Sequence, residues 1–76
     1  GGLTSDGVFE TAWTSLRIGG RMVVNAVTVE SEAKLFSLYS ELGGELSRIA
    51  VQQAEPVGRF QGWKPFMPVT QWSIVK

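Results

Sequence analysis

Cysteine and histidine are both missing from this sequence of 76 residues. Their absence excludes disulfide frameworks, thiol nucleophiles, Ser-His-Asp relays and zinc sites with sulfur or nitrogen ligands. A chain this short buries only about 60% of the surface that its unfolded form exposes, so its core is marginal. Without cysteine, no disulfide can stabilise it. We expect no metal site, and any enzymatic chemistry has to proceed without a thiol or an imidazole.

Long apolar runs and an excess of one charge are lacking as well. No hydrophobic stretch approaches the length of about 18 residues that a spanning helix needs, and no signal peptide is visible, so we expect no membrane partner. Seven basic and seven acidic residues give a formal net charge of zero, which argues against a dedicated nucleic-acid binder. The lack of cysteine is compatible with a cytoplasmic protein, which is the location we expect.

Residues 16–30 contain, in immediate succession, the end of a helix, two glycines, an apolar strand and the polar residues that follow that strand. Gly19 or Gly20 can take the left-handed conformation that closes a helix, and residues 21–27 form an apolar run that only Asn25 interrupts. A strand that is apolar on both faces belongs in a mostly parallel sheet, with helices above and below it. The pattern predicts an α/β domain, and we expect this chain to be its carboxyl-terminal part because the strand needs neighbours on both edges.

The remaining elements follow from periodicity and from capping residues. Apolar residues at helical spacing predict a first helix over residues 6–17 and a second helix that begins after Thr28 and stops at Gly43. Strands are predicted over residues 45–53 and 69–75, with Thr70, Trp72 and Ile74 on one face of the last one. We expect these two strands to pair as an antiparallel hairpin joined by a loop of about a dozen residues.

Gly1 and Gly2 are the first candidate site. They are expected where an upstream strand ends and a helix begins, which is where open α/β sheets bind ligands and where a helix start offers amide donors to an anion. An ordinary tight turn explains two glycines equally well, because no complete phosphate-binding motif accompanies them.

Asn25, Thr28 and Glu30 form the second candidate site, since all three leave the central strand toward the same edge. Thr28 can instead simply cap the following helix, and Asn25 can satisfy a neighbouring backbone group. Both alternatives stay open for these residues.

Arg59, Trp63 and Lys64 form the third candidate site, in an acid-free segment over residues 56–76. Cations interleaved with aromatic side chains suit a flat anionic molecule, through stacking and charge-assisted hydrogen bonds. Single-stranded nucleic acid fits the same chemistry, and a proline-pinned loop with solvated charges is the structural alternative.

Several of these segments together resemble one known family. The Gly-Gly opening, LRIGGR over residues 16–21, NAVTVES over 25–31 and RIAVQQAEPVGRFQGWKPFMPVTQW over 48–72 are similar to the carboxyl-terminal methyltransferase domain of the precorrin-6Y methyltransferases (decarboxylating). LRIGG is common among class I methyltransferases that use S-adenosyl-L-methionine, whereas NAVTVES followed by the PVG to PVTQW segment is more specific. The likeness covers the whole chain.

The resemblance implies a Rossmann-like class I sheet, of which residues 1–76 supply the last strand-helix units and an antiparallel hairpin. It implies S-adenosyl-L-methionine as cofactor, methylation of a precorrin tetrapyrrole at carbon 15, and decarboxylation of an acetate side chain in cobalamin biosynthesis. Gly1 and Gly2 are then cofactor-binding, and Asn25, Thr28 and Glu30 line the substrate cleft. The family's glycine-rich loop and ribose-binding acid are expected upstream, so the isolated chain is expected to be inactive.

Arg59, Trp63 and Lys64 are assigned to the substrate from charge and aromaticity, not from a family motif. A homo-oligomer is expected for the complete protein. The alternative function is a noncatalytic interaction module that binds a protein or single-stranded nucleic acid through the aromatic basic loop.

Overall fold

The chain begins with a helix, a strand and a second helix, in the predicted order, and four strands follow them. The computed structural model describes residues 7–76, so Gly1 and Gly2 lie outside the described residues. The elements are α1 (Val8–Ser15), β1 (Arg21–Ala26), α2 (Val29–Leu42), β2 (Glu45–Ile49), β3 (Gln52–Val57), β4 (Phe60–Pro65) and β5 (Val69–Val75). The α/β class is confirmed.

β1, β5 and β2 form a three-stranded sheet with β5 in the centre. Both pairings are antiparallel, with Val24 opposite Trp72 in one ladder and Leu46 opposite Trp72 in the other. The antiparallel pairing predicted between residues 45–53 and residues 69–75 is therefore confirmed, as β2 against β5. The mostly parallel sheet is not found within residues 7–76, because β1 and β2 run in the same direction but are separated by β5.

The core lies on one face of this sheet. Trp72 is fully buried on that face, where Phe9 of α1 packs against it with ring centroids 5.8 Å apart. The same buried cluster contains Leu35 and Leu38 of α2. Within residues 7–76 only one face of β1 is covered: Ala26 is buried, whereas Val23 on the opposite face is 49% exposed. Helices on both faces stay a prediction for the complete domain.

Capping explains where the two helices begin and end. Thr28 starts α2 as predicted, because its Oγ1 accepts a hydrogen bond from the Ser31 amide at 3.1 Å. Gly43 ends α2, also as predicted. α1 stops at Ser15, two residues before the predicted end, because Leu16 is already extended, and Gly19 adopts the positive φ expected of a glycine in this turn.

The segment predicted as a long loop is a two-stranded β-hairpin, which we call the arm (residues 52–65). β3 and β4 are antiparallel, and Val57 faces Phe60 across the two-residue turn formed by Gly58 and Arg59. Gly58 has a φ of 60°, which suits the first position of a tight hairpin turn. The predicted strand over residues 45–53 is correspondingly split into β2 and the start of β3.

The arm projects from the three-stranded sheet and its helices. With the arm included, the described chain is elongated, with principal extents of 54 × 24 × 20 Å. A backbone hydrogen bond from the Phe66 amide to the Val51 carbonyl, at 2.9 Å, closes its base. Neither helix within residues 7–76 is long and apolar enough to cross a membrane.

Candidate functional site

The carboxyl ends of β1 and β2 lie at the same edge of the sheet, together with the start of β5 and the start of α2. Ala26 and Arg48 are both paired with Thr70, one on each side of it. Ligands of open α/β sheets bind beyond the carboxyl ends of the strands. We call this the carboxyl edge, and it is where the candidate residues of the sequence have to be placed.

Asn25, Thr28 and Glu30 are brought to the carboxyl edge as predicted. Asn25 Oδ1 accepts a hydrogen bond from Gln71 Nε2 at 3.0 Å, and Thr28 Oγ1 is used by the helix cap. Glu30 lies exposed in the first turn of α2. The structural alternative is therefore observed for Thr28, whereas Asn25 bonds to the Gln71 side chain and not to the backbone group considered for it. Glu30 exposes its carboxylate to solvent.

Arg59, Trp63 and Lys64 all lie on the arm, but they are not brought together. Arg59 is in the turn at the tip, whereas Lys64 is opposite Gln53 near the base. Six-residue strands rise about 3.3 Å per residue, so tip and base are roughly 15 to 20 Å apart. Side chains alternate along a strand, so Trp63 and Lys64 point to opposite faces of the arm.

A polar network at the carboxyl edge was missed from the sequence. The Thr70 hydroxyl, 1% exposed, donates to Glu32 Oε1 at 2.6 Å and accepts from Arg48 Nε at 3.3 Å. Arg48 Nη2 also donates to Glu32 Oε1 at 3.3 Å, which closes the triangle. The available signal was Thr70 on the buried face of a strand, because a buried hydroxyl requires partners.

Across residues 7–76, no three side chains of the types His, Cys, Asp and Glu come together in a way that could hold a metal ion. The chemistry that the carboxyl edge offers is hydrogen bonding and charge, from amide, hydroxyl, carboxylate and guanidinium groups.

Comparison with known proteins assigns the family. The model of the precorrin methyltransferase domain matches residues 1–76. The chain belongs to the precorrin methyltransferase domain family. A precorrin-6Y C(5,15)-methyltransferase (decarboxylating) of Mycobacterium tuberculosis is 55% identical over 76 residues, which are 100% of this chain and 20% of that protein. One from Sinorhizobium sp is 53% identical, again over the whole chain and over 18% of the relative.

Solved structures agree with this assignment to the precorrin methyltransferases. A domain from Corynebacterium diphtheriae, described as a precorrin-6Y C5,15-methyltransferase, superposes with a TM-score of 0.93 at 51% identity, covering 100% of this chain and 45% of that one. The C-terminal domain of the precorrin-6Y C5,15-methyltransferase of Rhodobacter capsulatus has a TM-score of 0.84 at 44% identity, covering 95% and 39%. The chain spans about a fifth of the length of the relatives it matches in sequence.

Proposed function

We propose that this chain is the carboxyl-terminal part of a methyltransferase domain that uses S-adenosyl-L-methionine to methylate a precorrin at carbon 15, with decarboxylation of an acetate side chain, in cobalamin biosynthesis. The family match over all 76 residues carries the proposal. The relatives named precorrin-6Y C(5,15)-methyltransferase (decarboxylating) support the substrate and the decarboxylation. The comparisons give no support to a noncatalytic interaction module.

A Rossmann-like class I sheet is part of this proposal. Its support is the order β1-β5-β2, in which two strands of the same direction flank an antiparallel one. The edge of β1 away from β5 has no partner strand among residues 7–76, so a strand from an upstream part of the domain can pair with it. That upstream part is where we place the glycine-rich loop and the acidic residue for the cofactor ribose.

The described residues fit a supporting position beside the cofactor rather than a complete binding site. Asn25 and Thr28 already use their side-chain oxygens within the protein, on Gln71 and on the Ser31 amide. When bound, S-adenosyl-L-methionine supplies the methyl group, and this chain contributes the carboxyl edge that bounds the cleft. Gly1 and Gly2 remain proposed as cofactor contacts.

The isolated chain is expected not to bind S-adenosyl-L-methionine measurably, whereas the complete protein binds it with one-to-one stoichiometry. The reason is that the glycine-rich loop and the ribose acid are assigned to the upstream part. Isothermal titration of both proteins with the cofactor is the measurement. Tight binding by the 76 residues alone would contradict this placement, and a complete protein that does not methylate precorrin-6Y would contradict the proposed function itself.

Arg59 and Lys64 are proposed to bind peripheral carboxylates of the tetrapyrrole. Both side chains are exposed on the arm and occur in an acid-free segment over residues 56–76. Trp63 lies on the face opposite Lys64, and its role as a substrate contact stays a prediction.

In the complete protein, Arg59→Ala and Lys64→Ala are each expected to weaken tetrapyrrole binding by about threefold to tenfold. The effect is modest because exposed ion pairs are screened by solvent. Fluorescence titration with uroporphyrin, a porphyrin with acetate and propionate side chains, measures it. Arg17→Ala is the control, since Arg17 is exposed beyond the opposite end of β1. Equal affinity of all three variants and the wild type would reject the assignment.

The arm is also proposed to mediate homo-oligomerisation of the complete protein. Phe60 and Trp63 are each 72% exposed and Val57 is 60% exposed, on the two faces of the hairpin. An isolated two-stranded hairpin is marginal in water, and both of its outer backbone edges are available to another strand. The same arm on a second copy offers matching apolar side chains and matching edges, so we propose a second copy as the partner.

The double variant Phe60→Ser/Trp63→Ser of the complete protein is expected to dissociate to a monomer, because the contacts that offset the loss of freedom on association are removed. Light scattering coupled to size-exclusion chromatography measures the mass. Ile18→Ser is the control, since Ile18 is 87% exposed but lies on the body. An unchanged assembly in the double variant would reject the arm as the interface, and a monomeric wild type would reject the homo-oligomer itself.

A further inference from the structure

Arg48 is held in a defined orientation at the carboxyl edge. Its Nε donates to Thr70 Oγ1 and one hydrogen of Nη2 goes to Glu32 Oε1, both at 3.3 Å. Thr70 is itself fixed, because it is buried and donates to the same carboxylate oxygen at 2.6 Å. The plane of the guanidinium is therefore set by two neighbours that come from different elements, α2 and β5.

This arrangement uses one side of the guanidinium and leaves its end available. Nη1 has no hydrogen-bond acceptor among residues 7–76, and Nη2 keeps a second hydrogen on the same end. Parallel N–H groups at such an end match the two oxygens of a carboxylate. The side chain of Arg48 is 58% exposed, so a ligand can reach it, whereas that of Glu32 is only 20% exposed.

The surroundings of Arg48 form a pocket between α2 and β2. The pocket has a volume of about 330 Å³ and is lined by Phe36, Leu46, Ser47, Arg48 and Thr70. Its wall is largely apolar, with the guanidinium as the cationic group. An ion pair of this exposure adds little to stability because solvent screens it, so stabilising the fold is a small role for Arg48.

We propose that Arg48 is a further substrate-binding residue, whose free guanidinium end binds one peripheral carboxylate of the tetrapyrrole at the carboxyl edge. The inference rests on the proposed function for the nature of the ligand. It goes beyond it by naming a residue that neither the charge pattern of residues 56–76 nor the arm identifies. Glu32 and Thr70 are positioning residues, since their bonds to Arg48 set the orientation of its guanidinium.

Four variants of the complete protein test the proposal by fluorescence titration with uroporphyrin. Arg48→Gln is expected to weaken binding by about 5- to 20-fold, because a charge-assisted bond is lost at a half-exposed site. Arg48→Lys is expected to give an intermediate loss, since it keeps the charge but not the paired donors. Glu32→Gln is expected to weaken binding less than Arg48→Gln does, because the charge of Arg48 remains while one of the two bonds that orient its guanidinium loses its charge assistance. Arg17→Gln is the matched control and is expected to be unchanged.

The pattern across the variants decides between a binding role and a structural one. Unchanged affinity in Arg48→Gln overturns the inference, and so does an equal loss in Arg48→Gln and Glu32→Gln, which would mean that only the ion pair matters. Melting curves identify any variant that does not fold, and Arg48→Lys then carries the test. A wild type that binds no uroporphyrin also overturns the inference. Methylation of precorrin-6Y by the wild type is measured in parallel, so that loss of the proposed function is recognised separately.

Discussion

Replacing Trp72 with alanine is expected to lower the free energy of unfolding of the complete methyltransferase domain by about 3 to 5 kcal/mol, the cost of deleting a large buried aromatic side chain. Trp72 lies in the middle strand and is 0% exposed. It packs against Phe9, and its Nε1 donates to the Gly43 carbonyl at 2.8 Å. The substitution thus leaves a cavity between sheet and helices and removes the partner of a helix-terminal carbonyl.

Chemical denaturation followed by circular dichroism measures this change. Trp72→Phe is expected to lose less, about 1 to 3 kcal/mol, because most of the ring remains and chiefly the hydrogen bond is lost. Ile18→Ala is the surface control, since removing a side chain that is 87% exposed usually changes stability by no more than about 0.5 kcal/mol. A Trp72→Ala protein as stable as this control would contradict the position of Trp72 at the centre of the core.

Gly44→Ala is expected to destabilise the complete domain by about 3 kcal/mol or more, through backbone strain combined with overpacking. Gly44 joins α2 to β2 with a φ of 92°. A Cβ at this position would lie 2.5 Å from the Ser73 carbonyl oxygen and 3.1 Å from Trp72 Nε1. The carbonyl belongs to the central strand, so it cannot move away without disturbing both ladders.

Gly58→Ala separates the two causes. Gly58 also has a positive φ, 60°, but a Cβ there would have nothing within 4 Å. Only the conformational cost remains, so we expect a loss of about 1 to 2 kcal/mol. Denaturation midpoints of the two variants give the comparison, and equal losses in both would show that the close approach at Gly44 is not what requires glycine.

The body of the fold was predictable from the sequence because its signals are local. Alternation along β5 placed Thr70, Trp72 and Ile74 on one face, and all three are buried. In α2, apolar residues at helical spacing form a stripe in which Leu35 and Leu38 are buried, whereas Tyr39 and Leu42 are 42% and 41% exposed. Tyr39 and Leu42 lie on the part of α2 that the described sheet does not cover.

The arm was predicted as a loop because its composition hides its periodicity. Pro56 and Pro65 normally argue against strands, but both fit here since a two-stranded hairpin consists only of edges. The decisive signal was Gly58 at the start of a two-residue turn. As long as the segment was taken for a loop, nothing in the sequence indicated that Trp63 and Lys64 point to opposite faces.

The candidate site divides in the same way. Asn25, Thr28 and Glu30 could be assigned to one edge because chain direction and strand ends are properties of consecutive residues. The network of Glu32, Arg48 and Thr70 could not, since these residues are 16 to 38 positions apart and meet only when α2, β2 and β5 pack together.

The sequence by itself determined the elements of the body, the carboxyl edge to which its polar residues lead, and the family to which the motifs belong. Hydrophobic periodicity and capping are sufficient for these, because they act between residues a few positions apart. Only the tertiary structure decided the strand order, the helices' shared face, the projecting arm and the orientation of Arg48. Each of these depends on contacts between segments that are far apart in the chain. The free energy gained by burying those surfaces against one another cannot be read from either segment alone.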